Sequence, residues 1–237
     1  MQLRYLALVV IGFSFLSCSQ DKEYFLLVGN PGTGKSTLIN SLIGKEVAHA
    51  GLSLTGSGIT KKMQVFEHNN RIYIDTPGLD EDSVQERLDA AKEIEKALKF
   101  AGSYRIFFVF TLEAGRIKPA DVATLNLVMN AIGKQDKKYN IIVNKLEKKL
   151  LGNKENIRNY FNSGENKTNS IYLLPFSSEI NNNLLVLDDA FKQWFYNDSL
   201  SMPLEPKDIS EPSSDVDKKL ADYEKEIKRL QDELKNK

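Results

Sequence analysis

Apolar residues alternate between two rhythms from Glu23 to about Trp194. Short apolar runs read as strands: Tyr24–Val28, Arg71–Asp75, Ile106–Thr111, Tyr139–Val143 and Ile171–Leu174. The run from Ile106 is nearly continuous, as a central strand covered on both faces should be. Met63–Phe66 reads as a further strand, giving way to a loop at Phe66. Between these runs the apolar positions recur at three and four. Thr37–Ile43 reads as a short helix, and Val84, Leu88, Ala91, Ile94, Leu98 and Ala101 predict one over Val84–Ala101. Pro119 opens another, whose face is Val122, Leu125, Val128, Met129 and Ile132. The polar stretch Glu147–Asn169 reads as one exposed helix with loops. Leu184–Phe195 reads as a closing helix with Leu187, Phe191 and Trp194 inward. Strand and helix alternating in this way predict a three-layer α/β fold with a mostly parallel sheet.

The two ends follow other patterns. Residues 1–20 hold an apolar run, Leu6–Leu16, ahead of Ser17-Cys18-Ser19. That segment is signal-like, and three readings stand side by side. It is an anchor or lipid signal acylated at Cys18, an extra apolar element packed on the domain, or an artefact of the gene start. The main domain is expected over 21–200. Residues 201–215 hold several prolines and small or acidic residues and read as a linker. Beyond it, Val216, Leu220, Tyr223, Ile227, Leu230 and Leu234 are spaced as a heptad seam, the start of a coiled coil over 216–237.

With 237 residues and 41% apolar content the chain can bury one good core. Lysine plus arginine and aspartate plus glutamate balance at 32 each, which argues against a nucleic-acid partner, since such domains usually carry a basic excess. The one cysteine, Cys18, excludes disulfide stapling within the chain.

The chemistry concentrates behind the first strand. Gly29-Asn30-Pro31-Gly32-Thr33-Gly34-Lys35-Ser36-Thr37 fits the GxxxxGK[ST] pattern between a strand and a helix, the context a P-loop requires. Its glycines let successive N–H groups converge on one anion, and the following helix adds its unpaired N–H groups. Lys35 is placed to reach β and γ phosphates, and the Ser36 hydroxyl to ligate Mg²⁺. Asp75-Thr76-Pro77-Gly78 ends a strand forty residues later. There Asp75 can touch the metal through water, and the Gly78 N–H can sense a γ-phosphate. Thr60 is favoured over Thr55 as the loop hydroxyl that meets Mg²⁺ only in the triphosphate state. Asn144-Lys145-Leu146-Glu147 follows a strand end and resembles the guanine-reading Asn-Lys-x-Asp of GTPases, with Glu147 one methylene longer. Ser177-Ser178 stands where GTPases use a base-supporting Ser-Ala turn.

Together these residues resemble the TRAFAC-class GTPases, and within them the AIG1-type, immunity-associated family. Gly34–Gly44, Ile72–Leu79 and the segment Gly115-Arg116-Ile117-Lys118-Pro119-Ala120-Asp121 carry the likeness. The resemblance implies a P-loop fold with GTP/GDP and Mg²⁺ as cofactors. It also implies a homodimer formed across the nucleotide sites, in which Arg116 contacts the partner's nucleotide. Leu79 stands where Ras-like enzymes have a water-orienting glutamine, so slow self-hydrolysis is expected. A cytoplasmic location, or the cytoplasmic face of a membrane, fits such a site.

Overall fold

The computed structural model describes residues 22–49, 59–79, 84–162, 166–177, 180–181 and 184–210. In chain order the elements are β1 (Glu23–Val28), α1 (Lys35–Ile43), β2 (Gln64–His68), β3 (Arg71–Asp75), α2 (Val84–Leu98) and β4 (Gly102–Thr111). Then come α3 (Pro119–Ala131), β5 (Asn140–Leu146), α4 (Lys154–Phe161), β6 (Ile171–Pro175), β7 (Ile180–Asn181) and β8 (Leu184–Leu185). The described fold closes with α5 (Asp189–Gln193) and β9 (Met202–Leu204). The main sheet has the order β2-β3-β1-β4-β5-β6. β3, β1, β4, β5 and β6 run parallel, and β2 is antiparallel on β3. This is the expected α/β fold.

Strand periodicity sorts the side chains into two cores. Tyr24, Leu26 and Val28 of β1 join Ile94 and Leu98 of α2, Leu125 and Val128 of α3, and Phe161 of α4. Phe25 and Leu27 point the other way, to Leu38 and Ile43 of α1 and Phe191 of α5. On that second face Phe195 stacks on Phe107 with centroids 4.2 Å apart and on Phe25 at 5.4 Å. Such pairs add about 0.5–1.5 kcal/mol each beyond the area they bury.

Several boundaries differ from the periodicity, each for a local reason. α2 stops at Leu98, and β4 begins at Gly102 rather than Ile106. Tyr104 turns inward and its hydroxyl donates to the Ala97 and Phe100 carbonyls, which ends the helix and lengthens the strand. β2 runs to His68 instead of opening at Phe66, because Asn69 and Asn70 both adopt left-handed backbone and make the hairpin turn. The expected helix over Leu184–Phe195 is split. Leu184–Leu185 pairs with Ile180–Asn181, and Asp188 then caps α5 by accepting from the Phe191 N–H. A π-helical turn, Trp194–Asp198, follows α5. It buries Phe195 fully, while Trp194 packs half-buried against the same core beside Phe107 and Tyr172, so the expected inward residues hold and Phe195 joins them.

The stretch read as a linker from 201 continues the fold. β9 pairs antiparallel with Gly102–Tyr104, filling the notch beside β4 that β5 leaves open by starting opposite Phe107. Met202, Leu204 and Ile209 are buried. Ser210 donates its N–H to the Ala131 carbonyl at the end of α3. Pairing across about a hundred residues leaves no local periodicity to read. The heptad seam, the apolar leader with Cys18, and Thr55 lie outside the described residues. No helix among the described residues is long and apolar enough to cross a membrane.

Candidate functional site

The parallel strands bring their carboxyl ends to one edge, where an open α/β sheet presents its ligand crevice. Gly29 leaves β1 so close to β4 that an added Cβ would lie 2.3 Å from the Val109 carbonyl oxygen. Gly32 and Gly34 sit at φ 77° and 95°, in the left-handed region that glycine adopts without strain. Gly34 caps α1 with no side-chain bond, so the first-turn N–H groups of Lys35, Ser36 and Thr37 have no acceptor within the helix. Lys35 is buried and its ammonium donates to the Gly29 carbonyl at 2.6 Å and the Asn30 carbonyl at 3.3 Å. The Asn30 carbonyl also accepts from the Thr33 hydroxyl at 3.0 Å.

The side-chain oxygens of Ser36, Thr60 and Asp75 meet beside this loop. Ser36 Oγ donates to Asp75 Oδ2 at 2.6 Å, Thr60 Oγ1 donates to the same oxygen at 3.3 Å, and the two hydroxyls are 3.4 Å apart. Thr60 and Asp75 are buried. Burial pushes the Asp75 carboxyl above the usual carboxylate range, opposed by the Lys35 ammonium and the Ser36 and Thr60 hydroxyls. Asp75 Oδ1 is buried without a hydrogen-bond partner. Hydroxyl and carboxylate oxygens, with a buried anionic oxygen to satisfy, suit a hard divalent cation such as Mg²⁺. The turn after Asp75 is fixed by the Thr76 hydroxyl on the Leu27 carbonyl. It brings Gly78 against Pro31, where an added Cβ would lie 2.3 Å from Pro31 Cδ. Leu79 packs its side chain towards the core.

From the end of β5, Asn144 reaches over the loop. Its amide donates to the Thr33 carbonyl at 2.8 Å, and its Oδ1 accepts the Lys145 N–H at 2.9 Å. Lys145 has φ 57° and its ammonium donates to the Gly32 carbonyl at 2.8 Å. Gly34 must lack a side chain, since a Cβ would sit 2.6 Å from Asn144 Nδ2. Glu147 is exposed, with its carboxylate 2.6 Å from the Lys149 ammonium. Ser177 is half-buried in the loop after β6, one residue beyond Phe176, whose N–H donates to the Leu146 carbonyl. Ser178 lies outside the described residues.

Lys35, Ser36, Thr60, Asp75, Gly78, Asn144 and Lys145 thus converge on one crevice. Arg116 stands apart from them. It is exposed at the tip of a two-bond hairpin, Glu113–Arg116, and lines a groove of about 470 Å³ with Leu112, Leu150, Ile157 and Tyr160. Periodicity and motif reading missed a third layer behind the P-loop. Asn30 Nδ2 donates to Asp121 Oδ1 at 2.8 Å, and the Thr124 hydroxyl donates to Asn30 Oδ1 at 3.0 Å. The available signal was an aspartate and a threonine on the otherwise apolar face of α3.

A model of the AIG1 family matches residues 23–181. The chain is 28% identical over 174 residues to GTPase Era of Buchnera aphidicola, covering 72% of this chain and 58% of that protein. It is 36% identical over 136 residues to immune-associated nucleotide-binding protein 7 of Arabidopsis thaliana, covering 53% and 41% respectively. The crystal structure of Toc33 from Arabidopsis thaliana with GDP and Mg²⁺ superposes with a TM-score of 0.48 at 16% identity, covering 68% of this chain and 73% of that one. The chain spans about half the length of the curated relatives it matches.

Proposed function

This chain belongs to the AIG1 family, and from that premise we propose that it is a guanine-nucleotide switch that hydrolyses GTP slowly. The observation that carries the reading is the meeting of Ser36, Thr60 and Asp75 beside a P-loop that Asn144 and Lys145 clasp from the far side. Bound at the first three residues, Mg²⁺ would neutralise charge on the β and γ phosphates. The first-turn N–H groups of α1 hold phosphate oxygens, and the Lys35 ammonium is placed to exchange the Gly29 and Asn30 carbonyls for them. Thr60 and Gly78 come from the two segments that a γ-phosphate orders, so its loss releases both. The Glu147 carboxylate accepts from the guanine N1 and N2 groups, donors that adenine lacks as a pair. Ser177 supports the base from the β6 side.

No side chain equivalent to a water-orienting glutamine follows Gly78, since Leu79 packs inward. Attack of water on the γ-phosphate is therefore slow in the isolated chain. A second copy facing the site completes it, with Arg116 from that copy stabilising the developing charge. Leu79 also favours a second reading, a GTP-binding scaffold that does not hydrolyse.

Both readings are tested by titrating the full chain with GTP, GDP and ATP in Mg²⁺ while following its mass in solution. Guanine preference and a mass that doubles with the triphosphate state are expected. Tight ATP binding with no guanine preference would sink the proposal. Turnover that is undetectable at every protein concentration leaves the scaffold reading in its place.

A further inference from the structure

Asn30 occupies an unusual junction. Its backbone carbonyl accepts from Lys35 and Thr33 inside the P-loop, while its side chain faces out to α3. There it donates to Asp121 and accepts from Thr124, and all three residues are at most 4% exposed. A buried, hydrogen-bonded carboxylate of this kind fixes one geometry, because breaking it strands a charge. Asp121 lies in the first turn of α3, and its own N–H donates to the Lys118 carbonyl. The preceding loop is tied to itself. Glu113 and Arg116 exchange two backbone bonds of 2.9 Å, and Lys118 sits 3.3 Å from the Glu113 carboxylate. The loop over 113–118 thus closes on itself and joins α3 three residues before Asp121, whose carboxylate accepts from Asn30 of the P-loop.

We propose that Asp121 is a positioning residue that couples the state of the P-loop, through Asn30, to the β4–α3 loop carrying Arg116. The inference rests on the guanine-nucleotide reading above. When phosphates draw Lys35 from the Asn30 carbonyl, the Asn30 side chain carries the change to α3. Loop 113–118 moves or tightens with it. Asp121 touches neither nucleotide nor metal in this scheme. The groove beside Arg116 thus changes with the nucleotide, although no P-loop residue lines it.

The test is amide hydrogen exchange of residues 113–118 in the full chain, with and without GMPPNP and Mg²⁺. In the unmodified chain the nucleotide is expected to slow exchange about fivefold, a coupling of about 1 kcal/mol. Asp121→Ala should bind the nucleotide yet lose that response. Asn30→Asp sets two buried carboxylates against each other and should lose it as well. The swap Asn30→Asp with Asp121→Asn re-forms the bond with donor and acceptor exchanged, and should restore the response. Asp121→Asn alone keeps the accepting Oδ1 and should behave as the unmodified chain. If Asp121→Ala does not fold, Asn30→Asp and the swap decide the matter. A merely structural pair would change stability but leave the nucleotide response in place, and that result overturns the inference. So does a swap that fails to restore it. A chain that binds no guanine nucleotide overturns the functional reading and this inference together. A chain that binds it without any response at 113–118 overturns the inference alone.

Discussion

Asn144→Ala probes how strongly the end of β5 organises the phosphate loop. The substitution removes two hydrogen bonds, one to the Thr33 carbonyl at 2.8 Å and one from the Lys145 N–H at 2.9 Å. Each is worth about 0.5–1.5 kcal/mol net, so the pair holds about 1–3 kcal/mol. Asn144 is buried, so water replaces those bonds poorly. If they hold Thr33 and Lys145 in the nucleotide-ready arrangement, affinity for GDP and Mg²⁺ falls by roughly 5- to 150-fold. Fluorescent GDP titration measures that loss, and a urea unfolding curve shows that the fold persists. A dissociation constant within about twofold of the unmodified chain, with the fold intact, would refute the reasoning. Gly34→Ala supplies an internal check. Its Cβ would lie 2.6 Å from Asn144 Nδ2, a clash that Asn144→Ala removes. The two substitutions together should therefore cost less than the sum of their separate effects. Some cost remains, because φ 95° at position 34 still strains any side chain.

Phe195→Ala empties the stack between Phe107 and Phe25 and should cost about 3–5 kcal/mol, read as a lowered urea midpoint. Ending the chain after Ser201 removes the buried Met202, Leu204 and Ile209, each worth about 1.5–3 kcal/mol. That approaches the whole stability of a domain, so the shortened chain should not melt cooperatively. A sharp calorimetric transition would contradict the packing described for β9.

The P-loop half of the candidate site was legible because its geometry is local. Gly29–Ser36 is one strand, one loop and one helix start, and Asp75 and Asn144 each end a strand whose apolar run is unmistakable. The meeting of Ser36, Thr60 and Asp75 was also within reach, since each was read from its own motif or loop as an oxygen for the same cation. What escaped is long-range or polar. β9 is three residues with a proline at its centre, and only the notch beside β4 makes it a strand. Asp188 breaks an apolar period that otherwise continues to Phe195, and a cap competes with periodicity at that point. The Asn30–Asp121–Thr124 tie spans about ninety residues, and no spacing rule links an amide in a loop to a carboxylate on a helix.

The notch closed by β9 has a consequence for biosynthesis. β4 stands at the middle of the sheet, yet its first three residues stay unpaired on one side until Met202–Leu204 arrives. Arg105, beside them, also waits for the Ser199 carbonyl and hydroxyl. A ribosome needs roughly 3–12 s to make the residues between the end of β5 and the end of β9. During that interval a nascent chain whose P-loop is already made still shows an open strand edge, the kind of surface that chaperones and neighbouring chains bind. β9 is therefore the segment whose arrival covers that edge.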